Sequence, residues 1–253
     1  MSIAQALILA IIQGLTEFLP VSSSGHLVIF QKILGFEEPP VFFDILVHVG
    51  TLGAILVFFR DKIFVVIRSK QWLLLLALGT LPVCFVGFFL GTITSQIFNS
   101  TKLVGFSLFV TSLILFSTSF VKKQTKKIED LSLFDVLIIG VFQALALLPG
   151  ISRSGATISA GLWRGLEKEA AFEFSIFLGI LAILGAFLTQ LPSLSSFSEE
   201  VIFTGILGMI TAGISGYFSL GLLKRVLRKG RFFGFGVYCA VLGLVILFSN
   251  LIK

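Results

Sequence analysis

Gln13-Gly-Leu-Thr-Glu-Phe-Leu-Pro-Val-Ser-Ser-Ser-Gly25 and Gln143-Ala-Leu-Ala-Leu-Leu-Pro-Gly-Ile-Ser-Arg-Ser-Gly155 are two versions of one stretch, set 130 residues apart. Each begins apolar and runs into a loop rich in Ser, Gly and Pro. A second echo follows each one: Phe43-Asp44 with Gly50 matches Phe172-Glu173 with Gly179, at an offset of 129. The chain therefore reads as two related halves, each a broken apolar segment followed by longer apolar runs.

The surroundings of these stretches fix the class of protein. Of 253 residues, 56% are hydrophobic and 13% charged, and mean hydropathy is +1.06. A soluble domain carries about a quarter charged residues. Lipid must cover most of this surface. A bilayer span needs about 20 apolar residues, and runs near that length recur at 45–59, 72–91, 103–121, 171–191, 201–222 and 232–252. Six spans are predicted. The N-terminus has no Lys or Arg before Lys32, so it lacks the basic flank of a removable signal peptide and is expected to be retained. Trp72 and Trp163, at apparent span ends, are expected to be interface anchors.

Charge sets the topology. The basic residues cluster at Arg60, Lys62, Arg68 and Lys70; at Lys122, Lys123, Lys126 and Lys127; at Arg164 and Lys168; and at Lys224, Arg225, Arg228, Lys229 and Arg231. These clusters border apolar spans, so the net charge of +6 speaks for membrane orientation and against nucleic acid. With all four clusters inside, the links 92–102 and 192–200 fall outside. The map closes only if the segment before residue 40 starts outside and residues 131–163 enter and leave from the inside. The expected architecture is an all-α polytopic membrane protein of two inverted-topology repeats, each a re-entrant helical hairpin followed by three transmembrane helices. It forms one membrane domain over 1–253: repeat one over about 1–121, a basic inside loop over 122–130, and repeat two over about 131–253. Interrupted segments at corresponding positions of inverted repeats point to a binding site near the membrane middle. Non-helical backbone at that depth must be buried in protein or line a watery cavity.

The loops carry polar groups that are costly in lipid. A four-residue step puts Gln13 and Glu17 on one face of a helix that Pro20 ends, and an intramembrane carboxylate marks a functional site or a structural ion pair. Ser22, Ser23, Ser24 and His26 follow. In the second loop Arg153, between two apolar runs, has a planar fork suited to phosphate oxygens. Gly150, Ser152 and Ser154 around it let backbone N–H groups approach an anion, and the helix starting near Ala156 turns its positive end the same way. Asp44 and His48, one turn apart at the start of a span, read as capping or inter-repeat polar groups. Cys84 and Cys239 lie in apolar runs and behave as small hydrophobes. A transporter or flippase of a lipid phosphate would have the same layout.

The two loops resemble the undecaprenyl-pyrophosphate phosphatase family, also called the bacitracin-resistance protein family, and the resemblance covers essentially the whole chain. The family pattern Glu/Gln-x-x-x-Glu stands here as Gln13 to Glu17, leading through Pro20 to His26, and Pro-Gly-x-Ser-Arg-Ser-Gly stands intact as Pro149 to Gly155. Many members have Glu where this chain has Gln13, which removes one candidate metal ligand. The resemblance implies hydrolysis of undecaprenyl pyrophosphate to the monophosphate and orthophosphate, recycling the carrier lipid for cell-wall synthesis at the bacterial plasma membrane. It implies functional roles for Glu17, Ser23, His26, Ser152 and Arg153. Glu17, Ser23, His26 and Arg153 are the candidate catalytic residues, with Ser23, His26 or water as nucleophile. Gln13, Ser22, Gly150, Ser152 and Ser154 are candidates for phosphate binding. A divalent cation, Mg2+ or Ca2+, is expected at Glu17, and a second copy of the chain is a candidate partner.

Overall fold

A computed structural model describes residues 1–37, 40–121, 123–190, 199–230 and 232–249, apart from the segment 91–99. The described chain is helical: α1 (Ile3–Phe18), α2 (Ser23–Ile33), α3 (Val41–Phe58), α4 (Arg60–Arg68), α5 (Lys70–Leu90), α6 (Thr101–Ser117), α7 (Leu133–Leu145), α8 (Arg153–Trp163), α9 (Lys168–Gln190), α10 (Glu199–Arg228) and α11 (Phe232–Phe248). Among the described residues the only β pairing is an isolated bridge between Lys126 and Leu166. Five helices, α3, α5, α6, α9 and α10, are long and apolar enough to cross a membrane. Of the six predicted spans, the last is observed as the shorter α11, with 17 residues. Its predicted end after 249 lies outside the described residues, as do most of the links 92–102 and 192–200.

The two motif stretches fold alike. Ser2 and Gln5 cap α1 reciprocally (Ser2 N–H to Gln5 Oε1 2.8 Å, Gln5 N–H to Ser2 Oγ 3.2 Å), and Ser132 and Asp135 do the same for α7. At 16 and 13 residues, these helices reach about 24 and about 20 Å. That is short of a hydrocarbon core of about 30 Å. Pro20 ends the first, because the residue before a proline is pushed out of the α region, and Leu19 is indeed extended. A serine then starts each following helix: Ser22 Oγ accepts the Gly25 N–H at 3.3 Å and Ser152 Oγ the Gly155 N–H at 3.1 Å. Each satisfies one of the donors a helix start leaves open.

The halves interlock. The first hairpin helix, α1, packs on α10 of the second half, and α7 packs on α5 of the first; α3 runs along α10 and α6 along α11. Small residues let these backbones close up, as is common where helices meet in lipid. A methyl group on Gly140 would sit 2.5 Å from the Gly79 carbonyl, and one on Gly243 2.7 Å from that of Gly105.

Described members of all four basic clusters pair with carboxylates. Lys62 pairs with Glu173 (2.9 Å), Lys126 and Arg164 with the buried Asp135 (3.0 and 2.6 Å), and Lys224 and Arg228 with Glu169 (2.8 and 3.1 Å). Trp72 differs from its expected place as an interface anchor. It is buried because Phe174 and Phe177 of α9 pack on its ring, with the Lys62 ammonium of α4 5.8 Å from the ring centre.

Candidate active site

The loops between α1 and α2 and between α7 and α8 meet inside the bundle. Ser22 Oγ accepts the Gly150 N–H at 3.1 Å, and Ser154 donates to the Leu19 carbonyl at 3.2 Å. Thr111 of α6 locks the second loop, donating to the Gly150 carbonyl (2.9 Å) and accepting the Ser152 N–H (3.1 Å). Two backbone positions make the meeting fit. Gly150 has φ +97°, and a methyl group there would meet the Val104 carbonyl at 2.6 Å. Ser22 has φ +67°, a conformation that a side chain disfavours and that functional loops hold when enough contacts fix it. Its two accepted N–H bonds are those contacts.

Three of the residues singled out in the sequence converge on the carboxylate of a fourth, Glu17. Glu17 Oε1 accepts from Arg153 Nη2 at 2.8 Å, while Oε2 accepts from Ser23 Oγ at 2.6 Å and from Gln13 Nε2 at 3.0 Å. Glu17 comes from the end of α1, Ser23 from the start of α2, and Arg153 from the first turn of α8. The ion pair is shielded, with side-chain exposures of 7% for Glu17 and 14% for Arg153, so its electrostatics are far stronger than at a water-covered surface. Arg153 is held at its far side too, with Nη1 donating to the Ser175 carbonyl at 3.2 Å. Its guanidinium lies over Gly179, where a methyl group would reach within 2.7 Å of Nη2.

The two histidines have different settings. His26 is 3% exposed. Its Nδ1 lies 2.8 Å from the Ser22 carbonyl, which can only accept, so Nδ1 carries the proton and Nε2 accepts from the Tyr238 hydroxyl at 2.7 Å. Both ring nitrogens are engaged, which ties α2 to α11. His48 of α3 donates from Nδ1 to the Asp44 carbonyl (2.6 Å), and its Nε2 faces Glu17 Oε2 at 3.7 Å. The Asp44 carboxylate accepts from Gln31 instead (2.8 and 3.0 Å).

Residues 6–245 match the model of the family described as bacitracin resistance protein BacA. The chain belongs to this family. Similar proteins include the undecaprenyl-diphosphatase of Carboxydothermus hydrogenoformans, 43% identical over 96% of this chain and 95% of that protein. Those of Halothermothrix orenii and Korarchaeum cryptofilum are each 39% identical over 98% of this chain, and over 98% and 99% of their own lengths.

Within the BacA family setting, the candidate residues sort into two groups. Gln13, Glu17, Ser23 and Arg153 face one another. Ser22, Gly150, Ser152 and Ser154, expected to bind phosphate, are drawn into the contact between the loops. Sequence reasoning missed Ser175, Gly179, Thr111 and Tyr238 and gave His48 a bland role. The echo between Gly50 and Gly179 was a usable signal for one of them.

The residues also bear on a divalent cation. Among the described residues no group of three His, Cys, Asp or Glu side chains could hold a metal. Gln13, however, is 0% exposed, and its Oε1 is buried with no hydrogen-bond partner while its Nε2 lies on Glu17. A fully buried amide oxygen without a partner is a costly feature. Beside a carboxylate, it suits a hard cation that takes few protein oxygens and completes its shell with phosphate and water.

Proposed function

We propose that the Glu17–Ser23–Arg153 cluster is the catalytic centre for hydrolysis of undecaprenyl pyrophosphate. The chain is an undecaprenyl-diphosphatase, releasing orthophosphate and the monophosphate of the carrier lipid. The observation that carries the site assignment is the convergence of a hydroxyl and a guanidinium, from two separate loops, on one shielded carboxylate. The names of the relatives favour this activity over the transport alternative.

The chemistry follows from the donors and acceptors. Arg153 has further N–H groups for the terminal phosphate and neutralises charge as the transition state spreads it over the phosphoryl oxygens. Ser23 already directs its proton at Glu17. In-line attack by Ser23 Oγ on the terminal phosphorus forms the Oγ–P bond and breaks the bond to the bridging oxygen. Undecaprenyl phosphate departs, and Glu17 takes the Ser23 proton. Water then attacks the phosphoserine, and Ser23 Oγ leaves with a proton returned to it. His26, with both nitrogens engaged, acts in this scheme by holding the first loop through the Ser22 carbonyl. Glu17 and Gln13 would hold the divalent cation, Mg2+ or Ca2+, whose contribution is to neutralise pyrophosphate charge.

The same reading extends to the architecture. Exchanged contacts support an inverted repeat: a methyl group on Gly25 would meet Gly150 Cα at 3.1 Å and one on Gly155 would meet Pro20 Cβ at 3.2 Å, and these pairs interchange at the 130-residue offset. The short hairpin helices support re-entrance, with a single membrane domain over 1–253 in the plasma membrane. The test is orthophosphate release from undecaprenyl pyrophosphate by purified protein in detergent, with and without divalent cation. Cation-dependent release that Glu17→Ala and Arg153→Ala abolish is the expected result, with phosphate trapped on Ser23 in a rapid quench. Undiminished release by both variants refutes the site. Burst-free turnover with no phosphoserine replaces Ser23 with water as nucleophile.

A further inference from the structure

Among the described residues, His48 is the one polar side chain against Glu17 that the hydrolytic scheme leaves unused. Its setting is that of a metal ligand. The Nδ1–H is spent on the Asp44 carbonyl at 2.6 Å, and this kind of bond to a backbone carbonyl fixes tautomer and ring orientation in metal-bound histidines. The remaining nitrogen, Nε2, presents its lone pair towards Glu17 Oε2 across 3.7 Å. That is too long for a hydrogen bond, yet it suits two atoms that each bind one ion at about 2.1 Å. The side chain is 32% exposed, so an ion and its waters can reach it. His26, the other histidine of the two in the chain, has no free nitrogen.

We infer that His48 Nε2 is a direct ligand of a divalent cation held with Glu17 Oε2 and Gln13 Oε1. The inference rests on the cation reading above and adds a nitrogen to it. Arg153 occupies Oε1 of the carboxylate, and Oε2, which also accepts from Ser23, faces His48 and is the metal-facing oxygen. Gln13 now donates to that oxygen through Nε2 and leaves Oε1 unpartnered. Turning its amide over exchanges the two: a donor is withdrawn from Oε2 and an oxygen ligand takes its place. Three protein ligands from α1 and α3 then leave the other positions for water and pyrophosphate oxygens. One carboxylate, one amide and one imidazole make a less negative and softer set than two carboxylates. Imidazole suits borderline transition metals better than hard cations, so selectivity tilts from Mg2+ and Ca2+ towards Zn2+.

The experiment uses Mn2+ alone as the probe on the full-length protein in detergent. Affinity is read from the loss of the free-ion electron paramagnetic resonance signal, and ligation from the spin-echo modulation of a directly bound imidazole nitrogen. The wild type is expected to show that modulation. His48→Gln, at unchanged thermal stability, loses it and binds Mn2+ at least about tenfold more weakly, with a smaller loss for Mg2+; His26→Gln keeps it. Mn2+ bound with no nitrogen modulation, and released in Glu17→Ala, overturns the His48 assignment and leaves an oxygen-only cation site. Modulation that survives His48→Gln also overturns it. Absence of any Mn2+ binding by the wild type, even with inorganic pyrophosphate present, removes the cation reading itself.

Discussion

Gly179→Ala separates folding from catalysis in a way this site makes testable. A Cβ at position 179 would lie 2.7 Å from Nη2 of Arg153 and closer still to the rest of the guanidinium. Contacts to carbon settle at about 3.5 Å, so the nearest guanidinium atom must retreat by about 1.5 Å. The obstruction is the far end of a flexible side chain, not backbone, and α9 keeps a good helix former in place of glycine. The fold should therefore survive the change, with a thermal midpoint lowered only by the loss of one Arg153 hydrogen bond. Catalysis should not, because the guanidinium is clamped between Glu17 Oε1 and the Ser175 carbonyl and any retreat breaks one of those bonds. A misplacement of about 1 Å costs about 100-fold in rate, equivalent to about 2.7 kcal/mol of transition-state stabilisation. The assay is orthophosphate release from undecaprenyl pyrophosphate under saturating substrate, alongside Arg153→Ala and the double variant. The loss should fall on kcat, and the double variant should be no worse than Arg153→Ala. A fully active Gly179→Ala enzyme beside an inactive Arg153→Ala enzyme would refute the idea that the observed guanidinium position is the catalytic one.

Other substitutions probe the remaining contacts. Arg153→Ala should lower kcat by about 100- to 1,000-fold, as when a preorganised donor is lost, and Arg153→Lys should rescue little because one ammonium cannot serve Glu17, Ser175 and phosphate together; orthophosphate release measures both. Ser22→Ala strands the buried N–H groups of Gly25 and Gly150, so it should destabilise the protein by about 1–3 kcal/mol for each unsatisfied group, read as a lowered midpoint in thermal unfolding. Tyr238→Phe removes the hydrogen bond to His26 Nε2 at a cost of about 1 kcal/mol. His26→Gln combined with Tyr238→Phe should be less than additive in stability if the two act as one tie between α2 and α11.

The sequence exposed the two loops because their polar residues stand in apolar surroundings, where each needs a reason. It could not expose what the loops touch. His48, Ser175 and Gly179 enter the site only because α3 and α9 pass beside the hairpins, and no local pattern states which helices cross. His26 drew attention by standing near Glu17 in the chain, yet its ring turns back to the Ser22 carbonyl and out to Tyr238. Apolar length alone sets the span count, and the last predicted span, 232–252, is described only to 249, with a helix of 17 residues.

The proposed repeat explains why the site is composite. If the halves were identical, the pseudo-twofold would bring like groups together, and paired carboxylates or paired guanidiniums repel strongly in a shielded interior. Divergence at corresponding positions removes that conflict. Ser23 and Arg153 correspond, as do Glu17 and Leu147, and His26 and Ala156. One loop keeps the carboxylate and the hydroxyl, and the other replaces the hydroxyl with a guanidinium and the carboxylate with leucine. Two equivalent positions thus donate to a single acceptor, Ser23 to Oε2 and Arg153 to Oε1 of Glu17. Gln13 and Gln143 also correspond, and Gln143 is buried with neither amide atom partnered. It keeps the amide on the half that has lost its carboxylate, so under the proposed reading the cation is expected beside Gln13 and Glu17 and not beside Gln143.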